Sequence, residues 1–235
     1  MAPEVERLEI PLARGRLAAR LHHPPGQARA AAVIAHGQHS SMASRKLTAL
    51  AQAMARAGHY ALQFDHSGCG DSLGELELTT LTGRLGEFLA AVDVLERRAP
   101  GLPLVYMGSS LGGLTALLAA DRRPPACTAC WSAPTDLAEI IDRLDAPPEG
   151  FAALINDLPN HDQAAALSRA RNILFVHGEN DQVAPASQAR RGHELARPPK
   201  DLLVIPGADH ALTDPRDQRL AMERTLAWID SCLAA

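Results

Sequence analysis

Aromatic residues are scarce in this chain: two Trp, two Tyr and four Phe make up 3% of 235 residues, so any core must be built mostly from Ala, Leu, Val and Ile. Lysine is scarcer still, with Lys46 and Lys200 the only two, and the skew toward arginine carries no function by itself. No stretch approaches the run of roughly 18 uncharged apolar residues that a membrane span needs. Charge of one sign does not accumulate either. The 23 basic and 27 acidic residues are interspersed to a net charge of -4, which argues against a nucleic-acid or anionic-membrane surface. Met1 to Pro11 holds acidic residues and no apolar h-region, so no secretory signal is expected and a cytoplasmic location is. The four cysteines, Cys69, Cys127, Cys130 and Cys232, are then expected to remain thiols. Cys127-Thr-Ala-Cys130 has redox or metal spacing, but no second pair completes a zinc site and its neighbours Ala126, Ala129 and Trp131 read as a buried strand. Ten histidines occur without a His-x-x-x-His or Glu-x-x-His helix motif, so neither a metal nor a cofactor is expected.

What the chain does have is alternation. It fits one domain over 1–235, since 46% of it is hydrophobic and 21% charged. Val5 to Pro11 and Arg16 to His22 read as an antiparallel hairpin turned at Gly15, ended by Pro24-Pro25-Gly26. Ala30 to Ala35 is an unbroken apolar run, the pattern of a strand buried on both faces. Leu47, Leu50, Ala51, Met54 and Ala57 recur at helical spacing and Gly58 stops that helix. Tyr60 to Phe64 is the next strand, and Leu85, Phe88, Leu89, Val92 and Leu95 mark a second helix. Ala126 to Ser132, Ile173 to Val176 and Leu202 to Ile205 read as strands, Ala186 to Ala196 and Pro215 to Leu233 as helices. Strands and helices in this rhythm predict a mainly parallel sheet with helices on both faces. The rhythm breaks over about 133–168, where short helical patterns mix with Pro147-Pro148 and Pro159; this segment is expected to be a lid of two or three short helices.

Leu104 to Leu114 carries the sharpest local signal. An apolar run leads into Gly108-Ser109-Ser110-Leu111-Gly112 and an apolar helical stretch follows. A serine on a strained turn between strand and helix needs flanking residues without bulk, because backbone passes close on both sides. Ser110 would project from the carboxyl edge of the sheet at a helix N-terminus, whose free N–H groups and dipole favour developing negative charge. It is read as a nucleophile.

In an open parallel sheet ligands sit beyond the carboxyl ends of the strands, so the residues just after each strand matter. They include His177-Gly178-Glu179-Asn180-Asp181 and Pro206-Gly207-Ala208-Asp209-His210. A serine hydroxyl at neutral pH needs a base within reach, and the base needs an acid to hold its tautomer. Asp181 and His210 supply those types, with His210 the base. Asp136, which also follows a strand, is an alternative acid, whereas Asp209 adjoins His210 in sequence and reads as a loop or capping carboxylate. Asp65 and Asp71 are expected to hydrogen-bond the glycine-rich turn around them. His36 and His177 are expected to pack beneath the site, and His39 and His66 to line its mouth. A thiol at Cys69 would make alkylation an easy probe.

Ser110, Asp181, His210 is the chain order of the α/β-hydrolase arrangement. Through His36-Gly37, Phe64 to Ser72, Gly108 to Gly112, His177 to Asp181 and Gly207 to His210, the chain resembles an α/β-hydrolase-fold serine hydrolase over nearly its whole length. It is similar to the compact group of feruloyl esterases, monoacylglycerol-lipase-like enzymes and abhydrolase-type acyl-thioesterases, although Ser109 stands where many of these carry His. The resemblance implies an eight-stranded, mainly parallel twisted sheet. It also implies an oxyanion hole made of the backbone N–H groups of Gln38 and Leu111, to which the Gln38 side chain could add a donor. The expected reaction is hydrolysis of a carboxylic ester or thioester of a small or single-chain acyl substrate through an acyl-enzyme on Ser110. The alternatives are an amidase, peptidase or carbon–carbon bond hydrolase on the same triad, and a non-catalytic binding protein of this fold.

Overall fold

A computed structural model describes residues 3–144, 146 and 150–234. Pro147-Pro148, read above as part of the lid, lie outside the described residues. Among those described, eight strands form one sheet in the order β1-β2-β4-β3-β5-β6-β7-β8. β1 (Val5–Pro11) and β2 (Arg16–His22) are the expected hairpin, paired antiparallel from Val5 opposite His22 to Pro11 opposite Arg16. β2 then pairs antiparallel with β4 (His59–Phe64), and every further pairing is parallel. These are β3 (Ala30–Ala35), β5 (Leu104–Ser109), β6 (Cys127–Trp131), β7 (Ile173–Gly178) and β8 (Lys200–Ile205).

The central strands are buried on both faces, as their apolar runs require: every residue of β3, β6 and β7 is buried. One face is covered by α1 (Arg45–Arg56) and α8 (Pro215–Leu233), which pack Leu47, Leu50, Met54, Ala221 and Ile229 against Ala32, Met107, Trp131 and Val176. The other carries α2 (Leu81–Arg98), α3 (Leu111–Arg122) and α7 (Ser187–Leu195), around Phe64, Phe88, Tyr106, Leu117 and Phe175. The few aromatics are thus concentrated in the interior, where each fills a large volume; the Trp131 indole also satisfies its N–H on Thr225 of α8 at 3.0 Å. Cys127 and Cys130 are buried strand residues in this core, as the sequence suggested.

Strand order explains where the site lies. From β3 the chain passes through α1 to β4, then crosses back over β3 through α2 to reach β5 on its other side. The direction of winding therefore reverses between β3 and β5, and the loops leaving these two strands diverge to open a crevice. Their register sets Ala35 beside Gly108, which brings His36-Gly37-Gln38 next to Ser110.

Among the described residues between β6 and β7 are three short helices, α4 (Leu137–Asp142), α5 (Ala152–Asp157) and α6 (Gln163–Arg169), and one 3-10 turn at Leu158–Asn160. Asp136 caps α4 by accepting from Glu139 N at 3.0 Å, and Asp162 caps α6 by accepting from Ala165 N at 2.8 Å. Leu154, Leu158, Ala166 and Leu167 are buried in the main core, and Asp157 accepts from Thr82 N and Oγ1 on α2.

Candidate active site

Ser110 sits between β5 and α3 with φ 55° and ψ -129°, a backbone state that an L-residue holds only where its surroundings enforce it. The enforcement is visible. Ser110 N donates to Trp131 O of the neighbouring strand at 2.8 Å while Ser110 O receives Gly113 N at 2.8 Å. A Cβ on Gly108 would stand 2.0 Å from the Gly112 carbonyl oxygen, and one on Gly112 would stand 2.4 Å from Ala35 O. Both positions exclude any side chain, which is the physical content of the Gly-x-Ser-x-Gly pattern.

His210 Nε2 lies 3.1 Å from Ser110 Oγ, and His210 Nδ1 lies 2.7 Å from Asp181 Oδ2. Three segments 29 and 100 residues apart converge because β7 and β8 are paired from Ile173 opposite Lys200 to Gly178 opposite Ile205. The turn after β7 also packs tightly on the turn after β8, since a Cβ on Gly178 would meet Ala208 O at 2.4 Å. Asp181 is fully buried at its side chain; its Oδ1 accepts from Val183 N and Ala184 N at 2.9 and 2.8 Å, and His177 Nε2 stands 3.1 Å from Oδ2. Burial pushes the Asp181 carboxyl up, but the hydrogen bonds from His177 and His210 outweigh it and hold the group well below the usual carboxylate range. The constellation can move a proton from Oγ to Nε2 and stabilise the resulting imidazolium with a fixed negative charge.

Among the described residues, neither the Leu111 N–H nor the Gln38 N–H has an acceptor. Leu111 opens α3, so its N–H is one of the free donors at a helix start. Gly37, between His36 and Gln38, approaches Ser110 so closely that a Cβ there would lie 3.1 Å from Ser110 Cβ. The Gln38 side chain is engaged elsewhere, its Oε1 accepting from Arg84 Nη1 at 3.3 Å.

Several other expectations resolve here. Asp136 caps α4 and pairs with Arg191 at 3.2 Å, with no contact to His210. Asp209 caps its own loop through Thr213 N and Oγ1, as read. Asp65 accepts from Met42 N and Asp71 N at 2.6 and 2.9 Å, holding the glycine-rich loop. His36 and His177 are buried beneath the site, and His39 lines its mouth. His66 does not: it is fully buried and its Nδ1 meets Glu87 Oε2 at 2.6 Å, because the loop after β4 turns its imidazole inward against Phe64. Cys69 is buried under the Gln38 carbonyl, and burial raises its thiol pKa, so it is a poor alkylation target rather than an easy one.

Above Ser110 opens a cavity of about 640 Å³. Leu137, Ile140, Ile141, Leu144 and Phe151 make it apolar on one side; Ser40, Ser44 and Lys46 border it on another. Two residues near the site escaped the sequence reading. Arg84 sits on the buried face of α2 between Leu81 and Leu85, a charged residue within an apolar stripe, and Lys46 is one of two lysines in the chain. Those oddities of pattern and composition were the only signals available. Among the described residues no group of three or more His, Cys, Asp or Glu is placed to hold a metal ion, and no helix is long and apolar enough to cross a membrane.

Strand order, strained serine and imidazole together define a serine hydrolase of the α/β-hydrolase fold. Residues 26–160, more than half of the chain, match the family described as serine aminopeptidase, S33, and the chain belongs to that family. It is 28% identical over 204 residues to an uncharacterised protein of Mycobacterium tuberculosis, spanning 86% of this chain and 70% of that one. It is 26% identical over 259 residues to a monoacylglycerol lipase of Mycolicibacterium smegmatis, spanning 89% of this chain and 91% of the other. Its fold is shared by Est1E of Butyrivibrio proteoclasticus, solved with ferulic acid bound, at a TM-score of 0.84 and 20% identity over 97% of this chain and all of that one.

Proposed function

We propose that the protein hydrolyses carboxylic esters or thioesters of apolar acyl groups through an acyl-enzyme on Ser110. The observation that carries this is the continuous hydrogen-bonded line from Ser110 Oγ through His210 to Asp181 at the floor of an apolar-walled cavity. His210 takes the proton from Ser110 as Oγ bonds to the substrate carbonyl carbon. The carbonyl oxygen becomes an oxyanion between the Gln38 and Leu111 N–H groups, whose alignment stabilises it by several kcal/mol. On collapse the bond to the leaving oxygen or sulfur breaks and His210 returns the proton to it. Water then enters, gives its proton to His210 and attacks the acyl carbon; the bond to Oγ breaks and Ser110 regains the proton.

An acyl chain fits the side of the cavity made by α4, Leu144 and Phe151, which acts as a short lid. This lid is anchored in the core at both ends, through Leu137 of α4 and through Leu154, Leu158 and Leu167. The monoacylglycerol lipase among the relatives favours an ester over the peptide bond named in the family description. The family match ends before Asp181 and His210, so their roles rest on geometry alone.

The test is Ser110→Ala with a p-nitrophenyl acyl ester and a fluorophosphonate probe. Turnover should fall by roughly 10³ to 10⁶-fold and labelling should vanish; near-normal turnover, or wild type that neither labels nor cleaves, would sink the reading.

A further inference from the structure

The cavity over Ser110 has one feature that acyl recognition leaves unused. Among its described lining residues Lys46 is the one with a fixed ionic side chain, set on the first turn of α1 beside Ser44 and across from the apolar wall. Among the described residues no carboxylate lies within 4.0 Å of its ammonium. Asp209 and Asp181 attract it from a distance, but each is already engaged. Asp209 accepts from Thr213, and Asp181 from Val183, Ala184 and His210. Burial pulls the Lys46 ammonium down to about 8, against the pull of those two carboxylates. Lys46 is half-buried, and an ammonium partly withdrawn from water without a carboxylate beside it gains when something anionic arrives to share its charge. Ser44, the residue before α1, spends no side-chain hydrogen bond on capping, and the first turn of α1 holds no acidic residue that would repel an anion.

The position of Lys46 says which part of a substrate it would meet. His210 must protonate the departing atom, so the leaving group lies on the imidazole side of Ser110, away from the α4 wall. Lys46 stands on α1, which packs on the same face of the sheet as Ala208, Leu212 and α8, the segments flanking His210, whereas Leu137 of α4 belongs to the core of the opposite face.

We propose that Lys46 binds a carboxylate or phosphate carried by the leaving group, making the preferred substrate an apolar acyl ester of an anionic alcohol or thiol. This rests on the hydrolase reading above and narrows it. A lone ammonium suits one small anion, not a polyanion.

The experiment compares two matched pairs of substrates at 50 mM salt. One pair is 4-nitro-3-octanoyloxybenzoate and its neutral carboxamide; the other is 1-octanoylglycerol 3-phosphate and 1-octanoylglycerol. For each enzyme the quantity read is kcat/KM for the anion divided by that for its neutral partner, so a general loss of folding or activity cancels. Lys46→Met should lower the ratio about ten-fold, chiefly through KM, Lys46→Glu should lower it further, and Lys46→Arg should retain much of it. The wild-type ratio should shrink at 500 mM salt. A shift in either pair supports the assignment and identifies which anion is preferred. Cleavage of the neutral esters with a ratio that Lys46→Met and Lys46→Glu leave unchanged overturns the Lys46 assignment alone. No cleavage of any of the four by wild type, together with no fluorophosphonate labelling, overturns the hydrolase reading instead.

Discussion

The guanidinium of Arg84, only 1% exposed, donates from Nη2 to the carbonyl oxygen of His36 at 2.6 Å. Its Nη1 reaches Gln38 Oε1 at 3.3 Å, so one buried side chain on α2 holds the loop after β3 on both sides of Gly37. That loop passes close to Ser110 at Gly37 and carries Gln38, the proposed oxyanion donor. Arg84 is in this view a positioning residue. Arg84→Met should lower kcat by about 10 to 100-fold with KM little changed, less than outright removal of an oxyanion donor. Affinity for an alkyl boronic acid, which forms a tetrahedral adduct on serine, should fall in step with kcat. A purely structural role would lower Tm and leave the boronate affinity and kcat untouched.

The choice between Asp181 and Asp136 is testable by the same substitution at each. Asp181→Asn should reduce kcat by about 10⁴-fold, because an amide cannot hold the imidazole in the required tautomer. Asp136→Asn should stay within about three-fold, since Asn caps a helix as well as Asp does. Stability separates them too. The Asp181 carboxyl is held below its ordinary value, so its contribution is complete above about pH 4 and is lost as pH falls toward the folded-state value. The Tm deficit of Asp181→Asn should therefore be full at pH 7 and narrow below pH 4.

Glycine at 108 and 112 is a steric requirement. Gly108→Ala and Gly112→Ala would each drive a methyl into backbone carbonyls and should destabilise by about 3 kcal/mol or more, read by denaturant unfolding. Gly86, exposed on α2 with open space around its Cα, gives the contrast. Gly86→Ala should raise stability by about 0.5 to 1 kcal/mol.

Lys46 should weaken the fold it belongs to. With its ammonium pulled down to about 8, the penalty for burying its charge is complete below pH 8 and relieved as pH rises toward the ordinary lysine value near 10.4. Lys46→Met should raise Tm at pH 7 by roughly 2 to 4 °C, equivalent to about 1 kcal/mol once partial solvation is allowed for. That gain should fade between pH 8 and pH 10.5.

Much of this architecture could be read in one dimension because it is encoded by local rules. Unbroken apolar runs such as Ala30 to Ala35 marked strands buried on both faces, and Leu47 to Met54 marked a helix by its spacing. Gly108-Ser-Ser110-Leu-Gly112 marked a tight strand-to-helix turn because only glycine tolerates carbonyls that close. Elements with a weaker pattern were placed less well: α2 begins at Leu81, where Thr80 caps Gly83 N, four residues before its first marked apolar position.

Chain order offered Asp181 and Asp136 as acids, and the mouth was expected to hold both His39 and His66. Only strand pairing and loop packing chose among them. Asp181 meets His210 because β7 and β8 run side by side in one register, while Asp136 is spent on starting α4. Arg84 and Lys46 were invisible as site residues for the same reason. A residue's own sequence neighbourhood sets its backbone state, but which buried carbonyl or empty cavity it faces depends on segments dozens of residues away, joined by the crossing of α2 over β3.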